Sequence, residues 1–135
     1  MRLLPSAAAS KSPAERFIGN VWVNAITGGS GPGTATLAAV RFSPSARSAW
    51  RCHENGQTLR VTEGTGIVQS RDGQTIVIRP GDTVETPPGV WHWHGALPDS
   101  FMSHLAVSVA GSEVEWGEHV SDDDYAATTA EQTRR

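Results

Sequence analysis

The chain has 135 residues, which suffices for one domain with one hydrophobic core and is too short for two. Hydrophobic residues make up 38% and charged residues 19%, a balance that excludes a disordered chain. The net charge of -3 and the lack of a basic stripe exclude nucleic acid as an expected partner. No stretch approaches the roughly 20 apolar residues of a membrane span, and Cys52 is the only cysteine, so we expect a cytoplasmic protein without a disulfide.

The predicted elements are short and separated by turns. Residues 1–14, rich in Ala, Ser and Pro, predict a flexible N-terminal arm. Strands rich in β-branched and apolar residues are then predicted, with a Gly-rich loop at 25–33, over 17–23, 36–42, 57–62, 66–69, 75–79, 84–86, 91–94 and 101–109. Strands at this spacing predict an all-β barrel or jelly roll over residues 15–120.

The last segment differs from the rest. Ser121 is followed by three aspartates, the pattern of a helix N-cap with acidic residues in the first turn. A short helix and tail are therefore predicted over 121–135.

The most informative stretch of the chain is 81–92. Gly81 opens it, a short alternating strand follows, and Pro87-Pro88-Gly89 forms a rigid turn before His92. Because side chains alternate along a strand, His92 and His94 point to one face and the neighbouring tryptophans to the other.

A second polar cluster lies upstream, at residues 50–57. Arg51 and His53 share one face of a strand, and Gln57 follows after a bend. If the histidines of 92–94 face inward, a small barrel gathers a polar set near one another, namely His53, Gln57, His92, His94 and His104. Imidazole and amide donors that converge from separate strands suit Fe, Mn, Ni, Co or Zn.

The two clusters resemble the paired metal-binding motifs of the cupin superfamily. In the first motif, His53, Gln57 and Gly64 keep the family's spacing, whereas Arg51 stands where the first histidine ligand is usual. In the second motif, the spacing is kept without a gap by Gly81, Pro87, Gly89 and His92. The resemblance covers residues 36–110 and implies the cupin jelly-roll barrel.

A closer resemblance is to small bacterial cupins that include manganese-dependent hydroxynitrile lyases and relatives of carboxymuconolactone decarboxylase. It runs along 56–59, 79–82, 87–89, 92–96, 104–106 and 116–120. It implies one divalent transition metal (Mn, Fe, Ni or Zn) at the positions of Arg51, His53, Gln57 and His92. It also implies pocket roles for His94 and His104.

Arg51 conflicts with the usual site, because a guanidinium cannot ligate a metal and repels one. Arg51 must therefore turn away, pair with an anion, or mark a site without metal. The side chain of Cys52 points to the opposite face of the strand from Arg51 and His53, so it does not replace the missing ligand. Trp50, beside the site, is a candidate apolar wall for a small organic substrate.

Two classes of function remain open. The first is a metal-dependent enzyme, a hydroxynitrile-lyase-like lyase or an oxygenase, with ligands His53, Gln57 and His92 and acid–base residues His94 and His104. The second is a metal-free or metal-poor binding cupin in which Arg51 holds an anionic ligand. Exposed edge strands also predict a homodimer.

Overall fold

A computed structural model describes residues 1–133, which form thirteen strands and one helix. The strands are β1 Ser10–Lys11, β2 Phe17–Ile18, β3 Val21–Thr27, β4 Ala35–Phe42, β5 Arg47–Ser48, β6 Arg51–His53, β7 Gln57–Gly64, β8 Gly66–Ser70, β9 Thr75–Ile78, β10 Thr83–Thr86, β11 His92–Ala96, β12 Met102–Val109 and β13 Val114–Trp116. The helix, α1, spans Asp122–Thr133. None of the helices in the described part of the chain is long and apolar enough to cross a membrane.

Two antiparallel sheets curl into a jelly-roll barrel, as predicted. One has the strand order β1-β3-β4-β12-β7-β10. The other has the order β13-β6-β11-β5-β2, with β8 paired to β11 and β9 to β8. Strand β11 pairs over its whole length with β8, so its five residues are held in register in the middle of the second sheet and all are buried.

Alternation along β11 divides the apolar residues into two clusters. The larger cluster fills the barrel and includes Phe42, Leu59 and Met102. The smaller one lies on the outer face of the second sheet, where Trp93 packs with Tyr125 of α1. The helix therefore covers the tryptophan face of β11 and leaves the histidine face to the barrel interior.

The predicted helix is confirmed. Ser121 caps it, since the backbone N–H of Asp124 donates to Ser121 Oγ at 3.1 Å. Arg47 fastens its start by donating from Nε and Nη2 to the Val120 carbonyl at 2.9 and 2.7 Å. Residues 134 and 135 of the predicted tail lie outside the described residues.

The prediction of a single strand over 17–23 is wrong. The segment divides at Gly19, where a Cβ would lie 2.8 Å from that of Ala46. Strand β2 before it joins the second sheet and β3 after it joins the first. In addition, β3 continues to Thr27, into the predicted loop. Within the predicted flexible arm, Ser10–Lys11 pair with β3.

Candidate functional site

Four histidines from three strands meet inside the barrel. His53 lies in β6, His92 and His94 in β11 and His104 in β12, and each is at most 5% exposed. Ring centroids are 5.7 Å apart for His53 and His92, 5.9 Å for His92 and His94, and 5.0 Å for His94 and His104. Strand alternation thus brings together the rings that the sequence pattern predicted to be neighbours, while their roles stay predictions.

Arg51 points into this cluster and does not turn away. It pairs with His92 across β6 and β11, and only 8% of the residue is exposed. Its Nη2 lies 2.7 Å from His94 Nε2 and 3.2 Å from Gln57 Oε1. The ring of Trp116 lies 5.3 Å from its Cζ atom and covers one face of the guanidinium.

Several buried nitrogens of the cluster have no hydrogen-bond partner among the described residues. They are Arg51 Nε, His53 Nε2, His92 Nε2 and both ring nitrogens of His104. His92 Nδ1–H donates to the Val90 carbonyl at 3.1 Å, so its Nε2 keeps a free lone pair toward the interior. Buried polar groups are rarely left unpaired, which indicates that this set meets a ligand or water.

The site combines neutral imidazoles with one cation. Burial lowers the pKa of His53 and His92 to about 4, that of His104 to about 3 and that of His94 well below its ordinary value. The charge of Arg51 adds to the lowering in each histidine. Burial also lowers the pKa of Arg51, to about 9, so its guanidinium remains charged at neutral pH.

A cavity of about 210 Å³ opens beside Arg51. Its polar wall is formed by Arg51, Gln57 and His94, with hydroxyl groups from Thr36 and Ser108. The rest of the lining is apolar and comprises Phe17, Val23, Ala38, Val40 and Ala106. The cavity is smaller than the roughly 300–1,000 Å³ typical of pockets for drug-sized ligands, so it suits a small organic molecule.

The donors that would hold a metal are His53, Gln57 and His92. The unpaired Nε2 atoms of the two histidines suit that role, but the third donor, Gln57 Oε1, already accepts a hydrogen bond from the guanidinium. A divalent ion about 4 Å from that positive charge is repelled by roughly 8 kcal/mol at an effective dielectric near 20. Within residues 1–133, no three His, Cys, Asp or Glu side chains are placed to hold a metal. With Arg51 in this position, the donor set does not fit a divalent ion.

Trp50, predicted to line the substrate pocket, lies elsewhere. Trp50 precedes Arg51 directly, so its side chain points to the other face of the sheet, where it packs against the smaller apolar cluster. The centroid of its ring lies 4.5 Å from Cζ of Arg71. The aromatic residues that frame the site are instead Phe17 and Trp116, with ring centroids 6.0 Å apart. Trp116 pairs directly with Arg51 across β13 and β6, a register that the sequence pattern alone did not reveal.

The comparisons with known proteins agree with this architecture. (R)-mandelonitrile lyase from Granulicella tundricola is 43% identical over 122 residues, which cover 89% of this chain and 93% of that protein. The crystal structure of a cupin-like protein from Thermotoga maritima is 36% identical and has a TM-score of 0.85, covering 96% of this chain and 98% of the other.

A polyketide cyclase from Streptomyces resistomycificus is similar in fold alone, at 20% identity and a TM-score of 0.71, covering 95% of this chain and 92% of the other. The cupin domain family matches residues 38–108, a segment that contains all the cluster residues described above. By this match and these similarities, the chain belongs to the cupin family.

Proposed function

We propose that this cupin is a small-molecule lyase that cleaves and forms α-hydroxynitriles of the mandelonitrile type. The observation that carries the proposal is the contact of 2.7 Å between Arg51 Nη2 and His94 Nε2 at the wall of the cavity. It places a neutral imidazole beside a fixed positive charge, the two groups that this reaction needs, and the substrate has to displace the hydrogen bond from Arg51 before His94 Nε2 can take a proton. The similarity to (R)-mandelonitrile lyase supports the reaction class.

In the cleavage direction, the substrate hydroxyl group displaces Arg51 from His94 Nε2, and that nitrogen takes the hydroxyl proton. The bond between the carbinol carbon and the nitrile carbon then breaks, and cyanide leaves with the electron pair. Arg51 stabilises the negative charge on the leaving cyanide, and the imidazolium returns the proton to it. The products are an aldehyde and hydrogen cyanide. His104 does not line this cavity; its ring packs edge-on against that of His94, with the centroids 5.0 Å apart, and helps to position the base.

This scheme assigns to Arg51 the positive charge that a metal ion would supply in a metal-dependent lyase. The metal-dependent form predicted from the sequence has to overcome the repulsion from the same guanidinium. An oxygenase would need a metal ion at the same place, and the guanidinium would repel that ion in the same way. The experiment therefore measures activity in both metal states.

The test is turnover of racemic mandelonitrile by the purified protein, followed by the absorbance of released benzaldehyde. We expect activity after chelator treatment, and we expect His94→Ala to lower kcat by roughly 100-fold or more. His119→Ala is the matched control, since His119 is exposed and does not belong to the histidine cluster. Turnover that appears only after Mn²⁺ loading would replace the metal-free scheme by the metal-dependent one. A rate equal to that of buffer in both states would refute the lyase.

A second candidate function is ligand binding without turnover. It is favoured by one observation: Arg51 forms no ion pair with any carboxylate of residues 1–133. A protein that binds an anion in the cavity but leaves mandelonitrile intact would support this function.

A further inference from the structure

One positive charge inside the barrel, that of Arg51, has no negative partner among residues 1–133. The ion pairs within residues 1–133 join Arg47 to Asp122 and Arg71 to Glu118, and neither involves Arg51. The residue is nonetheless 92% buried, as its exposed fraction of 8% shows. Buried charges in proteins are normally paired with an opposite charge, so this site lacks one anion.

The present partners of the guanidinium are both neutral. Nη2 contacts Gln57 Oε1 and His94 Nε2, while the buried Nε has no partner among the described residues. The guanidinium therefore retains donor capacity next to the cavity that it lines. An anionic ligand there would gain charge-assisted hydrogen bonds.

The remainder of the cavity determines which anions fit. Phe17, Val23 and Val40 contribute to an apolar lining that suits a hydrocarbon body opposite the charged head. Arg51 is the only cation on the lining, and the neighbouring His94 is neutral at physiological pH. A phosphate dianion would thus keep one charge unbalanced, whereas a monoanionic carboxylate is neutralised.

From these features we infer that the cavity takes a small monocarboxylate with an apolar body, its carboxylate paired with Arg51. The inference rests on the proposed function in one respect, namely that the barrel cavity receives a small organic substrate. It adds that a carboxylate can occupy the position beside Arg51 that the nitrile takes in the lyase reaction. The cupin barrel then recognises its ligand through an arginine where a metal ion would otherwise stand.

The test measures binding of mandelate to the chelator-treated protein by isothermal titration calorimetry. Mandelamide has nearly the same shape and no charge, and it is the matched ligand. We expect mandelate to bind roughly 10- to 100-fold more tightly than mandelamide, the difference that a hydrogen-bonded charge makes. Equal affinities of the two ligands for the unmutated protein would overturn the inference without any mutant.

Two arginine variants locate the site. Arg51→Met keeps an unbranched apolar chain about as long as the aliphatic part of arginine, removes the charge and should abolish the preference for mandelate. Arg60→Met is the control, because Arg60 is exposed and its side chain donates to Thr83 Oγ1, away from the cavity. Retention of the preference in Arg51→Met, or displacement of mandelate by inorganic phosphate at lower concentration than by acetate, would contradict the inference.

The outcome is separable from that of the lyase proposal. Mandelate binding that depends on Arg51, together with no turnover of mandelonitrile, supports the carboxylate site and refutes the lyase. Turnover of mandelonitrile with no preference for mandelate over mandelamide supports the lyase and refutes the carboxylate site.

Discussion

At the scale of single residues, Arg51 decides the chemistry of the pocket. The neighbouring side chains, His53 and His92, have lone pairs that suit a metal, and the guanidinium supplies the charge that opposes it. Two effects are combined at one position: a ligand is missing and a positive charge is present. They can be separated by mutation.

Arg51→His should convert the pocket into a metal site, because it removes the charge and adds a nitrogen donor. We expect close to one equivalent of Mn²⁺ by elemental analysis after reconstitution and dialysis, against well under one equivalent for the unmutated protein. Arg51→Met is the control that removes the charge without adding a ligand, and it should retain an intermediate amount. Stoichiometric metal in the unmutated protein would show that Arg51 tolerates the ion.

At the scale of elements, the site is held by the turns that join the strands. Gly64, at the end of β7, has a φ of 72°, and a Cβ placed on it would collide with the Phe101 carbonyl. The register of β7 against β12 shifts close by, between Ser103 and His104. The conformation of this glycine thus affects the strand that carries one of the pocket histidines.

Gly64→Ala should therefore destabilise the fold by more than the backbone conformation alone requires. The matched control is Gly73→Ala, whose φ is 97° but whose Cβ would meet no atom within 4 Å. We expect a loss of roughly 1–2 kcal/mol in the free energy of unfolding for Gly73→Ala, the usual cost of a left-handed residue. Gly64→Ala should lose about 2 kcal/mol more from the forced shift of the Phe101 backbone. Equal urea midpoints for the two variants would contradict this interpretation.

The sequence predicted these elements unevenly, for physical reasons. Alternation in β11 and the turn at Pro87-Pro88-Gly89 are local, so the shared face of His92 and His94 followed from the residues themselves, whereas its inward direction remained a condition. The division at Gly19 was missed because it depends on contact with Ala46, far along the chain. The direction of Arg51 was left open, since the length of its side chain allowed it to reach either solvent or the barrel.

At the scale of the whole molecule, the barrel buries four histidines in neutral form. Folding lowers the pKa of His53 and His92 to about 4 and that of His104 to about 3. The unfolded chain, with ordinary histidine pKa values near 6.5, therefore binds more protons in mildly acidic solution. Stability consequently rises with pH across this range.

We expect the free energy of unfolding to decrease as the pH falls from about 6.5 to about 4. Urea unfolding midpoints measured across that interval give the slope, and His104→Gln, which removes one buried imidazole, should make it shallower. His119→Gln, at an exposed position outside the histidine cluster, is the control for the substitution itself. A midpoint that stays constant over the interval would contradict the assignment of neutral buried histidines.

The arginine inside the barrel also has a genetic consequence. An arginine codon of the type CGC or CGT becomes a histidine codon by one change of guanine to adenine. A pocket charged by its own side chain and a pocket charged by a bound ion are then separated by a single point mutation. Since the other donors, His53, Gln57 and His92, are already in place, a gene with such a codon would supply the fourth donor, a nitrogen, by that one change.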